Sequence, residues 1–69
     1  MNCYVKLKNI EAPICVSGIT SIVEKTDKKA TTYKEFDKVV IDSYQYYSFI
    51  GNEILHVQGE RIQYVYFQH

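Results

Sequence analysis

Apolar residues recur every second position along most of this chain, and nowhere does an apolar stripe with a 3.6-residue period persist over three turns. Cys3, Val5 and Leu7 fall on one side of an extended segment and Tyr4, Lys6 and Lys8 on the other, the period of a half-buried strand. Asn9 to Pro13 supplies turn chemistry, and Ile14 to Val23 resumes a β-branched run interrupted by Gly18, where a strand is expected to bend. Val39 to Ile50 is a long β-prone run that Gly51-Asn52 ends. These patterns predict an all-β chain.

The C-terminal third reads as a hairpin, with Ile54 to Gln58 and Arg61 to Gln68 joined by Gly59-Glu60, a pair suited to a type II′ turn. That turn sets Val57 opposite Ile62 and Leu55 opposite Tyr64 on one face, and puts His56, Gln58, Arg61 and Gln63 on the other. Glu24 to Asp37 is polar and expected to be a loop, with a short edge strand within Ala30 to Phe36. In 69 residues such segments amount to a single domain, residues 1–69. The expected architecture is a small five- or six-stranded, mainly antiparallel barrel, SH3-like or Sm-like, because closure hides the edges of short sheets.

Composition narrows the function classes. At 46% hydrophobic and 14% aromatic the chain is expected to fold, and its equal numbers of basic and acidic residues, 8 each, give no general phosphate-seeking field. No apolar run is long enough to span a bilayer, and the residues after Met1 lack the regions of a signal peptide, so the expectation is a cytoplasmic protein without a membrane partner. Cys3 and Cys15 are too few and too far apart for a zinc knuckle, and are expected to be free thiols. Alanine occurs only at positions 12 and 30 and arginine only at 61, a bias that fits an AT-rich coding sequence of the kind found in Gram-positive bacteria and their phages. A phage or mobile-element accessory role is the corresponding expectation.

No catalytic constellation stands out, and neither a cofactor nor a metal site is expected. His56 has no evident partner, His69 ends the chain, the carboxylates are scattered, and Gly18, Gly51 and Gly59 form no phosphate-cradling loop. The informative feature is the aromatic run Tyr44, Tyr46, Tyr47 and Phe49. Alternation puts Tyr44 and Tyr46 on one face and Tyr47 and Phe49 on the other, so one pair packs inside and the other faces out. Exposed tyrosine offers a large contact area with a polar tip, which suits a protein partner or a second copy of the chain. The alternative partner is single-stranded nucleic acid, stacked on Tyr44 and Tyr46, with Lys25, Lys28, Lys29, Lys34 and Lys38 on phosphate. Glu24, Asp27, Glu35 and Asp37 are interleaved with those lysines and would blunt a positive patch, which ranks this partner second.

The segment Ile54 to Val65, with Gln58 and Gly59 followed by Glu60 and Arg61, resembles the second motif of Sm-like proteins, in which Arg-Gly separates two apolar strands. Gln58 stands at the arginine position and Gly59 at the glycine. Val16 to Ile22 is similar to the first motif, whose glycine lets a strand curl, here Gly18. The resemblance covers about 20 positions. It implies a small barrel and places Gln58, Gly59 and Arg61 among the binding candidates. The N-terminal helix of the family is missing, and its RNA-contacting residues have no counterpart here.

Overall fold

The computed structural model describes all 69 residues and is built of strands and two single 3-10 turns. The strands are β1 (Asn2–Leu7), β2 (Ile14–Val16), β3 (Ser21–Lys25), β4 (Ala30–Tyr33), β5 (Tyr46–Ile50), β6 (Ile54–Gln58) and β7 (Ile62–Gln68). They form two antiparallel sheets, in the orders β2-β1-β7 and β4-β3-β5-β6. The all-β expectation holds. The count is seven strands where five or six were expected, and the hydrogen-bonded ladder does not close into a barrel.

Sequence alternation decides which side chains fill the space between the sheets. Cys3, Val5, Leu7, Val16 and Ile62 point inward from one sheet and Ile22, Tyr47 and Phe49 from the other, and with Ile19 they make the buried core. Leu55, Val57, Val65 and Phe67 pack at its border. No helix is long and apolar enough to cross a membrane. Both cysteines lie on strands and neither is in a disulfide, Cys3 buried and Cys15 half-buried.

Gly18 does more than bend a strand. It adopts φ 61°, a left-handed conformation that L side chains resist, and the run Ile14 to Val23 divides there into β2 and β3. One half pairs with β1 and the other with β5, so a single β-branched stretch serves both sheets. Strand β3 also extends through Glu24 and Lys25, which the polarity of that region had assigned to a loop. The expected edge strand is β4, at the margin of the larger sheet.

Two expectations are corrected. The run Val39 to Ile50 is a strand only from Tyr46 onward. Residues 39–45 instead cross the open side of the two sheets, where Phe36, Val39 and Ile41 pack on the core and the Phe36 ring stacks on Phe67 at 5.0 Å. Burial of those side chains overrides strand propensity, which measures fit to a pleated surface and not a backbone preference.

The C-terminal hairpin is also absent. Strand β6 pairs only with β5, placing Val57 opposite Tyr47 and Leu55 opposite Phe49. Strand β7 pairs only with β1, placing Ile62 opposite Leu7 and Tyr64 opposite Lys6, with a bulge between. Gly59–Arg61 forms a 3-10 turn that carries the chain from one sheet to the other. Gly59 has no positive φ, so the type II′ turn is not formed. Tyr64 accordingly lies on the exposed side, while the expected polar set His56, Gln58, Arg61 and Gln63 is exposed throughout.

Candidate functional site

Strand register builds a polar surface on the outer face of the larger sheet. Lys25, Tyr46 and Gln58 lie side by side across β3, β5 and β6, with Ser48 and His56 paired in the next outward row. The Gln58 amide donates to the Tyr46 hydroxyl at 3.3 Å, and Ser48 Oγ lies 2.6 Å from His56 Nδ1. Thr26 and Asp27, in the turn after β3, and Tyr44, in the segment before β5, complete an open cleft of about 720 Å³.

Tyr44 owes its position to a local turn. Its amide donates to Asp42 Oδ1 at 2.9 Å and the Gln45 amide to the Asp42 carbonyl at 3.1 Å, which leaves the ring free in solvent, 88% exposed. This turn is clamped from two sides. The Gly59 amide donates to the Gln45 carbonyl at 2.7 Å. From below, the Tyr47 hydroxyl donates to Glu24 Oε2 at 2.7 Å and accepts from the Asp42 amide at 2.6 Å, with the Val40 carbonyl a further acceptor at 3.3 Å. The tyrosine that fills the core therefore also ties the segment carrying Tyr44 to β3.

Two buried groups make the fold sensitive to alkali. Burial, helped by the neighbouring Glu24, pushes the Tyr47 phenol up to about 12, against a bond from the Asp42 amide that lowers it. Burial, with Cys15 nearby, pushes the Cys3 thiol up to about 11. Each group keeps its proton in the folded chain at a pH where the unfolded chain has released it, so stability is full below the unfolded value and falls as pH rises. The window runs from about 9 to 11 for Cys3 and from about 10 to 12 for Tyr47. At about 1.4 kcal/mol per pKa unit, the Tyr47 window alone costs roughly 2–3 kcal/mol. Urea unfolding from pH 8 to 12 is expected to show this decline, and Tyr47→Phe should flatten the part above pH 10. An undiminished slope in Tyr47→Phe would refute the assignment.

Of the residues singled out in the sequence, Tyr44, Tyr46 and Gln58 converge on the cleft and Lys25 joins them. Gly59 is buried under the Asp42 to Gln45 turn and serves it structurally. Arg61 is exposed and lies off the cleft at the end of the 3-10 turn, its carbonyl accepting from the Lys8 amide at 2.8 Å.

The lysines do not form one surface. Lys28 and Lys29 sit in the turn between β3 and β4, their amides donating to Thr26 Oγ1 at 3.1 Å. Lys34 and Lys38 line a separate depression with Tyr33 and Glu35, and Lys38 pairs with Glu35 at 2.6 Å.

The sequence singled out His56 without a partner and did not indicate Ser48, because their contact exists only through the β5–β6 register. His56 has no carboxylate hydrogen-bonded to it, so the pair lacks the orienting third group of an activated nucleophile. No group of three or more His, Cys, Asp or Glu side chains is placed to hold a metal ion. The cleft offers aromatic faces, amide and hydroxyl groups, and one charge of each sign from Lys25 and Asp27. Comparisons with protein-family models, with curated proteins and with solved structures return no match to this chain.

Proposed function

We propose that the chain is a non-catalytic module that seats a short segment of a protein partner in the Tyr44/Tyr46 cleft, on a fold of the SH3-like or Sm-like kind. The fold part of this reading is supported by the run divided at Gly18, which feeds both sheets, and by the 3-10 turn at Gly59–Arg61, which links their far edges. One observation carries the function: Tyr44 and Tyr46, 88% and 54% exposed, border a concave surface lined with unlike polar groups. Large aromatic side chains beside a pocket are the usual anchors of protein recognition. Lys25 and Asp27 in one wall suit a peptide of mixed polarity better than a polyanion.

The test is selection of peptides from a random displayed library on the immobilised protein. Selected peptides are expected to lose at least tenfold in affinity with Tyr44→Ala and with Tyr46→Ala, at about 1.4 kcal/mol per tenfold. Short RNA and DNA oligonucleotides, titrated by fluorescence anisotropy at low salt, should not bind. Salt-sensitive oligonucleotide binding weakened by the same two substitutions would replace this reading with the nucleic-acid one.

A further inference from the structure

A second cavity, of about 230 Å³, lies between the sheets at their open side and shares no residue with the cleft. Ile22 and Phe49, paired across β3 and β5 and both buried, form its floor, and Val65 and Phe67 of β7 form one wall. Phe36, Val39 and Ile41, from the segment that crosses this side, close it over. Every lining side chain is apolar, none is exposed, and all three phenylalanines of the chain are among them.

Close packing does not leave such a space by default, because protein interiors hold few voids larger than a water molecule. The stack of Phe36 on Phe67, with ring centroids 5.0 Å apart, holds one end of the crossing segment. At the other end the Tyr47 hydroxyl donates to the Val40 carbonyl and accepts from the Asp42 amide, so the segment spans the space without filling it. Water is a poor occupant, since a buried water needs about two to four polar partners and no side chain here offers one. A cavity of about 150 Å³ with a comparable lining stays dry and takes benzene, so this larger one suits roughly six to ten non-hydrogen atoms.

We propose that this cavity binds a small apolar aromatic molecule, a single or fused ring without a charged group. Three phenylalanine rings around one space favour an aromatic guest over an alkane, because edge-to-face contacts add to the burial. A side chain from a partner protein is disfavoured, because the crossing segment covers the lining residues. Entry follows from how that segment is held. Residues 34–41 make no backbone-to-backbone hydrogen bond to either sheet, only the local bonds from the Lys38 amide to the Glu35 carbonyl and from the Val39 amide to the Phe36 carbonyl. A segment tied down mainly by side-chain packing opens locally more readily than a strand does.

Titration of the methyl-labelled protein with toluene, followed by NMR, tests this, with circular dichroism confirming the fold of each variant. Saturable shifts centred on the methyl groups of Ile22, Val39, Ile41 and Val65 are expected, with a Kd at or below about 1 mM. Phenol should bind at least tenfold more weakly, because its hydroxyl would be buried without a partner. Val39→Trp, which fills the space from the crossing segment and alters neither sheet, should weaken toluene tenfold or more, whereas Tyr44→Ala should not change it. Toluene should also raise the unfolding temperature of the wild-type chain, since a ligand held only by the folded state stabilises it. No saturable shift up to the solubility of toluene would overturn the proposal, as would shifts centred on Tyr44 and Tyr46, or phenol binding as tightly as toluene. Cavity signals that respond to peptides selected on the cleft but not to toluene would assign the space to a partner's side chain and overturn it as well. Peptide binding at the cleft is measured separately and can fail or succeed without changing the toluene result.

Discussion

Phe49→Ala is expected to leave the chain largely unfolded at room temperature. Phe49 is fully buried, sits in β5 between β3 and β6, and lies opposite both Ile22 and Leu55. Truncating a buried phenylalanine costs about 3–5 kcal/mol, because the lost transfer energy is compounded by the cavity left behind. At roughly 0.05–0.15 kcal/mol per residue, a domain of this length has only about 3–10 kcal/mol to lose. Urea denaturation measures the loss directly. Val40→Ala, at a side chain 80% exposed, is the control and should stay within about 0.5 kcal/mol of wild type. A cost below about 1 kcal/mol for Phe49→Ala would mean that the space between the sheets is not the core.

Gly59→Ala has the second largest expected effect and reaches the cleft as well as the fold. A methyl group on Gly59 would overlap the Asp42 carbonyl oxygen and crowd that of Gln45 at 3.0 Å. Both obstacles are backbone atoms, so the Asp42 to Gln45 turn has to move. Its displacement strains the bond from the Gly59 amide to Gln45 and that from the Asp42 amide to Tyr47. Overpacking of about 1–3 kcal/mol and a weakened buried hydrogen bond of about 1 kcal/mol together predict a loss of about 2–4 kcal/mol. Peptides selected on the wild-type cleft should bind the variant more weakly, since Tyr44 rides on that turn. Unchanged stability would show that the turn is not seated on Gly59.

Gly59 also shows how far local pattern reaches. Its sequence context demands a glycine, and the structure has one essential there, but the reason is space for a crossing backbone and not a positive φ. A two-residue hairpin turn and a 3-10 turn preserve similar alternation in the flanking strands, so the pattern cannot distinguish them. The decision is made by non-local competition: β5 takes β6 and β1 takes β7. The same limit explains Val39 to Gln45, where β-branched residues are drawn into covering the open side of the sheets. By contrast, the inward set Cys3, Val5 and Leu7, the redirection at Gly18, and the division of Tyr47 and Phe49 from Tyr44 and Tyr46 were legible, because each depends only on side-chain period or on one residue's backbone freedom.

For the cleft, the sequence indicated the two tyrosines and Gln58; Tyr46 and Gln58 share one side of neighbouring strands, and Tyr44 lies on the turn before β5. It could not separate Lys25 from Lys34 and Lys38. Closeness along the chain suggested one cluster, whereas the β3–β4 hairpin carries them to different depressions. Ser48 and His56, eight residues apart, meet only because Gly51-Asn52 turns the chain between β5 and β6.

Whether the Tyr44/Tyr46 cleft seats a protein is tested most directly by replacing Tyr44 with the photoreactive residue benzoylphenylalanine and irradiating cells that express the full chain. The expected result is a discrete protein adduct that disappears when Tyr46→Ala is added and is not formed from the same photoreactive residue at Lys34, on the segment after β4. No adduct, an equal adduct from Lys34, or an adduct to nucleic acid in place of protein would contradict it.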